Sequence, residues 1–197
     1  MRLARGLRLP LLLAALSACQ AGIERGPGDP GALRDLDGRA HVPLAPAPGR
    51  ASVLFFVTTD CPIANALAPE IQALVDEYAQ SPLAFYVVYV DPETPREALL
   101  EHAGQYGHRA PILADAAQVL ARRLGVTRTP EAAVIASGGE LSYRGRINDL
   151  YNALGRRRPA PTRRDLRDHL EALIAGRPVA STRTAAVGCL LPEPVPS

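Results

Sequence analysis

The sequence contains no lysine, because all 22 of its basic residues are arginine. Schiff-base chemistry and general-base catalysis by a lysine amine are therefore excluded. Aromatic residues make up only 5% of the chain, and cysteine occurs three times in 197 residues. A chain of this length can bury a full core without disulfides, so a disulfide scaffold is not expected. Catalytic triads, phosphate-binding loops and paired acid–base carboxylates are not evident.

The N-terminal segment has the pattern of an export signal. Three arginines within the first eight residues precede the short apolar run Leu9–Leu16. This run is far too short to cross a bilayer as a permanent helix. Removal of the segment leaves 19 arginines against 20 acidic residues, a net charge of −1. The basic pI of the full chain therefore comes from the signal, and no nucleic-acid partner is expected.

Leu16-Ser17-Ala18-Cys19 resembles the lipobox of bacterial lipoproteins. In such proteins the cysteine is acylated and becomes the new N-terminus, and several acyl chains give stable anchoring. The resemblance implies that residues 1–19 are a lipoprotein signal peptide, that Cys19 is lipidated, and that the protein lies on the periplasmic face of a bacterial membrane. Gln20, rather than an aspartate, follows the cysteine, which favours the outer membrane. The alternative is an ordinary signal peptide with a chance cysteine.

Composition divides the rest of the chain into three segments. Residues 20–50 are rich in Gly, Pro, Ala and Arg, and most of them are predicted to form a flexible tether, in which the turn signal Asp37-Gly38 allows a short strand near Arg39–Leu44. Residues 51–176 carry the strong strand and helix patterns and are predicted to form one domain. Residues 177–197 are predicted to form an irregular, proline-rich tail that carries Cys189.

Strand and helix patterns alternate through the predicted domain. Continuous apolar runs indicate strands buried on both faces, and apolar stripes at helical spacing indicate helices. The predicted strands are Ser52–Thr58, Leu83–Val90, Ile112–Leu113, Glu131–Ala136 and Glu140–Ile147, and the predicted helices are Pro62–Gln80, Thr94–Tyr106, Ala116–Leu124, Asn148–Leu154 and Thr162–Ala175. This order predicts an α/β fold with a central, mostly parallel sheet, an antiparallel closing hairpin, and helices on both faces.

Cys61 directly follows a predicted buried strand and directly precedes a predicted helix. Its sulfur is expected at the carboxyl end of a strand and at a helix N-terminus, where the helix dipole stabilises a thiolate. Pro62 suits the first helical position, while Asp60 can cap the helix or transfer a proton. A thiolate here is a nucleophile near neutral pH. The alternative is a buried cysteine that only packs.

Four features of the domain resemble the thioredoxin-like superfamily. They are the helix that runs from Cys61 to Pro69, the segment Gly125–Pro130 that is similar to the one leading to the family's cis-proline, the turn at Gly138-Gly139, and an insertion over 91–124. The insertion looks like that of the redoxin branch, which includes the alkyl hydroperoxide reductase/thiol-specific antioxidant proteins. The resemblance implies a thioredoxin-like fold in which Thr129 and Pro130 face Cys61 and bind the partner that supplies a cysteine.

Three positions depart from the family patterns. Ala64 occupies the place of the second cysteine of the Cys-x-x-Cys motif, so the site is monothiol. Phe55 stands where many thioredoxins carry a buried acid. Thr58 fits the Pro-x-x-x-Thr-x-x-Cys pattern of peroxiredoxins, but Leu54 replaces its proline. The sequence therefore carries only part of the motif that is typical of peroxide reduction.

Cys189 lies in a short apolar patch of the tail. If Cys19 is lipidated, Cys61 and Cys189 remain as a pair in an exported protein. We predict that the tail returns across the domain and places Cys189 near Cys61, where it resolves the intermediates formed at Cys61. A purely structural disulfide and two unbonded thiols are the alternatives.

These features predict an exported thiol–disulfide oxidoreductase that acts on a thiol or disulfide of a partner protein, or on a peroxide. Cys61 is its predicted nucleophile and Cys189 its predicted resolving cysteine. No cofactor and no metal site is predicted, because the four histidines show no ligand spacing; they are His41, His102, His108 and His169. The alternatives are a copper-handling protein with Cys189 as the second thiolate and a non-catalytic binding module of the same fold.

Overall fold

The computed structural model describes residues 32–179 and 182–194. They form an α/β fold of twelve short or medium strands and four helices. The helices are α1 (Pro62–Glu77), α2 (Arg96–Gln105), α3 (Val119–Leu124) and α4 (Asp165–Ile174). The strands are β1 (Leu33–Arg34), β2 (Ala40–His41), β3 (Ala51–Val57), β4 (Leu83–Tyr89), β5 (Ile112–Ala114), β6 (Arg128–Thr129), β7 (Glu131–Ile135), β8 (Leu141–Gly145), β9 (Tyr151–Ala153), β10 (Arg156–Arg157), β11 (Thr182–Arg183) and β12 (Cys189–Leu190).

The central sheet has six strands in the order β11-β8-β7-β3-β4-β5. Strands β3, β4 and β5 are parallel to one another, whereas β7 runs antiparallel to both β3 and β8. Parallel neighbours require crossover connections, and the helices α1 and α2 supply them. The predicted fold class, including the antiparallel closing hairpin of β7 and β8, is confirmed.

Strand β3 is buried along its whole length because the sheet is covered on both faces. Its alternate residues enter two separate core clusters. Val53 and Phe55 belong to the cluster that includes α1, α2 and α4, whereas Leu54 and Phe56 belong to the cluster that includes α3. The period of two along the strand thus explains a run of seven residues that contains no exposed side chain.

Helix α1 begins where the sequence pattern places it, at Pro62. Its buried stripe includes Ile63, Leu67, Ile71 and Leu74, which recur at three- and four-residue spacing. The stripe faces the first core cluster and holds the start of the helix against the carboxyl end of β3. The position of Cys61 is therefore fixed by packing on both sides of it.

The ordered fold begins earlier than the boundary at residue 51. Strands β1 and β2 form an antiparallel pair, and Asp35 makes an isolated bridge to Leu113 at the β5 edge of the sheet. Leu36 is buried in the first core cluster. Strand β2 lies within the stretch Arg39–Leu44 where the sequence allows a short strand, whereas residues 33–38 depart from the predicted tether, because an apolar side chain and a β bridge attach them to the domain. Residues 1–31, with the predicted signal peptide and Cys19, lie outside the described residues.

Two further segments differ from the sequence-based expectation. The helix predicted over Asn148–Leu154 is absent, and β9 pairs there with β10. The tail, predicted to be irregular, contributes β11 parallel to β8 and β12 antiparallel to β6. Among the helices that the structure describes, none combines the length and the hydropathy needed to cross a membrane.

Candidate active site

Cys61 is the N-cap residue of α1, at the junction between β3 and the helix. Its Sγ accepts a hydrogen bond from the backbone N–H of Ala64 at 3.4 Å. The sulfur therefore takes the place that a Ser or Asp oxygen usually takes at a helix start, where free N–H groups and the helix dipole favour negative charge. The residue is 0% exposed. Asp60, the predicted cap, is instead exposed to solvent, and Pro62 occupies the first turn.

Thr129 lies directly against the Cys61 sulfur. The peptide bond between Thr129 and Pro130 is cis, and both residues are buried. The Cys61 thiol donates to the carbonyl oxygen of Thr129 at 3.0 Å. The hydroxyl oxygens of Thr129 and Thr58 lie 3.2 Å apart. The structure thus brings Thr58, Thr129 and Pro130 together around the thiol.

The tail completes the site from the other side. We refer to residues 182–192 as the tail segment. Within it, β12 runs antiparallel to β6 and sets Cys189 opposite Thr129. The Cys189 side chain packs against the core cluster that contains Cys61, and both thiols are free. Residues that are 128 positions apart in sequence therefore meet at one point of the structure.

The pair of thiols is electrostatically unequal. Burial opposes ionisation of Cys61, but hydrogen bonds from the Cys189 thiol, from the backbone N–H groups of Ala64 and Cys189, and from Thr129 outweigh it, so the pKa of Cys61 lies below its ordinary value. Burial, the hydrogen bond to Cys61 and the charge of Cys61 raise the pKa of Cys189 to about 12. Asp60 adds to the rise through its negative charge. Cys61 is thus the thiol that ionises first, and Cys189 keeps its proton and donates it.

A hydrogen-bonded group holds the loop that leads into Cys61. The carboxylate of Asp91 accepts from both the backbone N–H and the hydroxyl of Thr59, at 3.0 and 2.7 Å. The side-chain amide of Asn65 donates to the Thr59 carbonyl at 3.2 Å, and its oxygen lies 3.0 Å from Nε2 of His102. Tyr89 contacts the other ring nitrogen of His102 at 2.8 Å. The loop is therefore fixed from α1, α2 and the end of β4.

Sequence reasoning missed this group. In the sequence Asp91 only follows the predicted strand Leu83–Val90 and His102 has no ligand spacing, yet Asp91 is only 8% exposed. One signal could have found it: Asp91 follows β4 directly, and the carboxyl ends of neighbouring parallel strands meet at one edge of the sheet. One oxygen of Asp91, Oδ2, is buried without a hydrogen-bond partner.

A buried ion pair holds the loop that carries Thr129 and Pro130. Glu131 accepts from the Thr127 backbone N–H at 3.0 Å and lies 3.3 Å from Nε of Arg144. The same guanidinium donates to the carbonyl oxygens of Leu124 and Gly125. The residues on either side of the cis bond are therefore attached to β8, which explains how a loop can present a fixed edge to β12.

The tail segment is held mainly through its backbone. Arg128 donates to the carbonyl of Gly188 at 3.2 Å, and the Leu191 N–H donates to the carbonyl of Thr127 at 3.3 Å. The amide of Gln118 donates to the Pro192 carbonyl at 2.6 Å. Arg128 thus binds the tail. Gly188 fits tightly, because a Cβ atom there would lie 2.7 Å from the carbonyl carbon of Thr129.

The other departures from the family patterns are visible in the same region. Phe55 is fully buried and stacks on Phe85 with ring centroids 6.2 Å apart, so an apolar pair fills the place of a buried acid. Ala64 is buried against the core and offers only its backbone N–H to the thiol. In the part of the chain that the structure describes, no three or more His, Cys, Asp or Glu side chains are grouped so that they could hold a metal ion.

The arrangement supports one kind of chemistry. A thiol with a lowered pKa sits at a helix N-terminus, and a second thiol with a raised pKa touches it. Such a pair can exchange with a disulfide, and the member that ionises first is the nucleophile near neutral pH. The nearby backbone edge at Arg128 and Thr129 accepts an extended strand, since β12 already lies on it.

Comparison with solved structures shows the same fold in several bacterial proteins. An uncharacterized conserved protein from Geobacillus kaustophilus matches with a TM-score of 0.70 at 24% identity, over 84% of this chain and 89% of its own. A hypothetical protein from Sinorhizobium meliloti matches with a TM-score of 0.68 at 24% identity, over 81% and 88%. A secreted Mycobacterium tuberculosis disulfide oxidoreductase homologous to DsbE of Escherichia coli matches at 0.50 and 20% identity, over 74% and 94%.

These likenesses establish the fold and nothing finer. No curated protein matches the sequence significantly. The Redoxin family profile matches residues 31–151, which is more than half of the chain and includes β1, the strand before Cys61 and the cis-proline loop. By this match the chain belongs to the Redoxin family.

Proposed function

We propose that this protein is an exported thiol–disulfide oxidoreductase whose working pair is Cys61 and Cys189. The observation that carries the proposal is the contact between the two thiols, with the pKa of one lowered and that of the other raised. The pair replaces the neighbouring cysteine of a Cys-x-x-Cys motif, which Ala64 has removed. Redoxin family membership and the fold shared with a secreted disulfide oxidoreductase support the assignment.

The first step is attack by the Cys61 thiolate on one sulfur of a substrate disulfide. A bond forms between Cys61 and that sulfur, the substrate S–S bond breaks, and the other substrate sulfur leaves with the electron pair and takes a proton. The helix N-terminus and the N–H of Ala64 stabilise the attacking charge. Thr129 orients the sulfur through its hydroxyl and carbonyl groups.

The second step resolves the mixed disulfide. Cys189 loses its proton and attacks the Cys61 sulfur, the Cys61–Cys189 bond forms, and the substrate thiolate leaves. The substrate disulfide has then been reduced by two electrons and the pair has been oxidised by two. Two thiols of a partner protein return the pair to its reduced form by the same exchange and are themselves oxidised to a disulfide. When the partner is more oxidising than the pair, the cycle runs in the opposite direction.

Export and anchoring belong to the same proposal. Two cysteines that form a reversible disulfide suit an oxidising compartment, and the neighbour from Mycobacterium tuberculosis is described as secreted. Residues 1–19 are the proposed signal peptide and Cys19 the proposed lipidation site, which place the domain on the periplasmic face of a bacterial membrane, at the outer membrane. The partners are therefore a thiol or disulfide of another exported protein and the lipid surface.

The test compares three cysteine-to-serine variants in the reduction of insulin disulfides, with hydrogen peroxide as a parallel substrate. Cys61→Ser is expected to fall to the uncatalysed rate. Cys189→Ser is expected to accumulate a mixed disulfide between Cys61 and the substrate, visible by mass spectrometry. Cys19→Ser, the matched control, is expected to keep the native rate. Equal rates of insulin reduction for the native chain and Cys61→Ser would show that the protein is a binding module. If Cys61→Ser loses only the reduction of hydrogen peroxide, the protein is a peroxidase.

A further inference from the structure

We propose that the tail segment is an internal substitute for the substrate: it occupies the backbone edge on which a partner strand pairs, and the partner must displace it with a segment that carries glycine directly before the attacked cysteine. This inference rests on the proposed function of Cys61. It adds a competition between tail and partner, and a sequence requirement on the partner.

The first observation is that the tail closes the site completely. Cys61 is 0% exposed, and Val187 and Cys189 of the tail segment pack against the same core cluster as Cys61. A sulfur of another protein has no route to the Cys61 sulfur while β12 is in place. Reaction with a protein substrate therefore requires that β12 leaves β6.

The second observation is that the edge recognises backbone. The contacts that hold β12 and its flanks are the ladder to β6, the bond from Leu191 to Thr127, and the bonds that Arg128 and Gln118 donate to tail carbonyls. Every one of them is available to any extended polypeptide, which is how strand addition works in general. The side chain of Leu190 is 70% exposed, so it does not contribute to recognition by this edge.

The third observation restricts which polypeptides fit. The backbone of Gly188 approaches that of Thr129 so closely that a Cβ atom would overlap the carbonyl group and lie 3.2 Å from the nitrogen of Pro130. Backbone on both sides cannot move aside as a flexible side chain does. A partner strand in the same register therefore needs glycine before its cysteine. The next sites are more permissive, although the position of Leu191 packs on the second core cluster.

The tail is also suited to leave. Strand β12 has two residues, and its pairing with β6 is a separate two-stranded sheet. Short elements with few buried apolar contacts open locally at a free energy well below that of global unfolding. The fold can therefore expose Cys61 while α1, β3 and the cis-proline loop stay intact.

The first test measures access to Cys61 in the full chain. Gly188→Ala is expected to expel β12, and Gly104→Ala is the matched control because its Cβ meets nothing within 4 Å. The rate of alkylation of Cys61 by iodoacetamide is followed by mass spectrometry across a range of pH. Gly188→Ala is expected to raise the high-pH plateau about tenfold, since overpacked positions are disfavoured by that order.

A second variant guards against misfolding of the first. Gln118→Gly suits the left-handed φ of 53° at this position and removes the bonds that the side-chain amide donates to the carbonyls of Pro192 and Val90. It is expected to raise the same plateau by a smaller factor. If both variants keep the native plateau, or if Gly104→Ala raises it equally, the tail does not control access and the inference is overturned.

The second test measures the glycine requirement. Two peptides, Val-Gly-Cys-Leu-Leu and Val-Ala-Cys-Leu-Leu, are supplied as mixed disulfides with thiopyridine and mixed with Cys189→Ser. Cys61 attacks the peptide sulfur, the peptide–thiopyridine bond breaks, and the thiopyridine leaves with the electron pair and a proton. The glycine peptide is expected to react about tenfold faster. Equal rates overturn the requirement.

The proposed function of Cys61 and the role of the tail can be refuted independently of each other. If Cys61 becomes accessible in Gly188→Ala but no variant reduces a protein disulfide, the proposed function is wrong and the displaceable tail remains. If Cys61 reduces disulfides at a rate that Gly188→Ala and the peptide sequence leave unchanged, the proposed function remains and the internal-substitute role is wrong.

Discussion

Replacing Cys61 by serine is expected to make Cys189 more reactive, although the variant has lost the nucleophile of the site. In the native site the pKa of Cys189 rises from its ordinary 9.0 to about 12, first through burial and then through the hydrogen bond and charge of Cys61. At about pH 8 this rise lowers the thiolate fraction of Cys189 about a thousandfold. A thiolate of higher pKa is more nucleophilic, by about twentyfold over this interval. Cys189 should therefore be alkylated about fiftyfold more slowly than an ordinary thiol.

The variant removes only part of this protection. Burial is the largest cause and remains, whereas the hydrogen bond and the charge of Cys61 disappear. We expect the alkylation rate of Cys189 to recover about three- to tenfold, once the lower nucleophilicity of the more acidic thiolate is included. Cys61→Ala should recover at least as much, because a methyl group cannot accept the hydrogen bond.

The assay is iodoacetamide labelling of fully reduced protein at about pH 8, with Cys189 resolved by peptide mass mapping. Amide hydrogen exchange at Leu191, whose N–H is bonded to Thr127, reports whether β12 stays docked. Equal protection in the native chain and the variant separates a change of pKa from release of the tail. If Cys189 reacts at the native rate or more slowly while Leu191 remains protected, the account of the coupled thiols is refuted.

Three further changes test the scaffold around the site. Asp149 accepts hydrogen bonds from Thr162 that hold its pKa at about 2, so the stability it provides is complete above its ordinary 3.8 and is lost as the pH falls through about 2; Asp149→Asn should unfold more readily at neutral pH and lack that acid step, and an unchanged pH profile would refute this. Leu166→Ala, at a fully buried position, should lower the free energy of unfolding in urea by about 2–5 kcal/mol, and a loss below this range would show that the site collapses. Asn65→Ala should lower the free energy of unfolding by about 1–3 kcal/mol, because the Thr59 carbonyl and the His102 ring lose their hydrogen bonds to the amide; an unchanged free energy would show that the loop is fixed without it.

The parts of the fold that the sequence predicts are those with a strong local period. Strand β3 and helix α1 lie where the apolar run and the helical stripe place them, because both are buried by residues of the pattern itself. The helix predicted from Asn148 to Leu154 is wrong because strands of two to three residues are too short to show a period in the sequence. The attachment of residues 33–38 has no pattern in the sequence, because it depends on one buried side chain, Leu36, and on the bridge from Asp35 to Leu113.

The residues of the site also differ in whether a local sequence pattern marks them. Cys61 and the loop to Pro130 are marked by residue type and spacing, so their positions could be predicted. The proximity of Cys61 and Cys189 depends on the path of the tail, and a contact between residues 128 positions apart leaves no local pattern in the sequence. Asp91 and Gln118 act through hydrogen bonds set by tertiary packing, from Thr59 to Asp91 and from Gln118 to Pro192 and Val90. Sequence alone offers no period or motif for such contacts.

The pairing of β11 with β8 has a consequence for molecules in solution. Strand β8 would be the outermost strand of the sheet if Thr182 and Arg183 did not cover it, and β6 would be an open edge without β12. Detachment of one short peptide therefore uncovers two rows of unpaired backbone groups, which are templates for another chain. Two molecules that open together can each accept the other's C-terminus, as in domain swapping. Protein concentration thus becomes a variable in every measurement of thiol access, and dilution separates tails held within one molecule from tails exchanged between two.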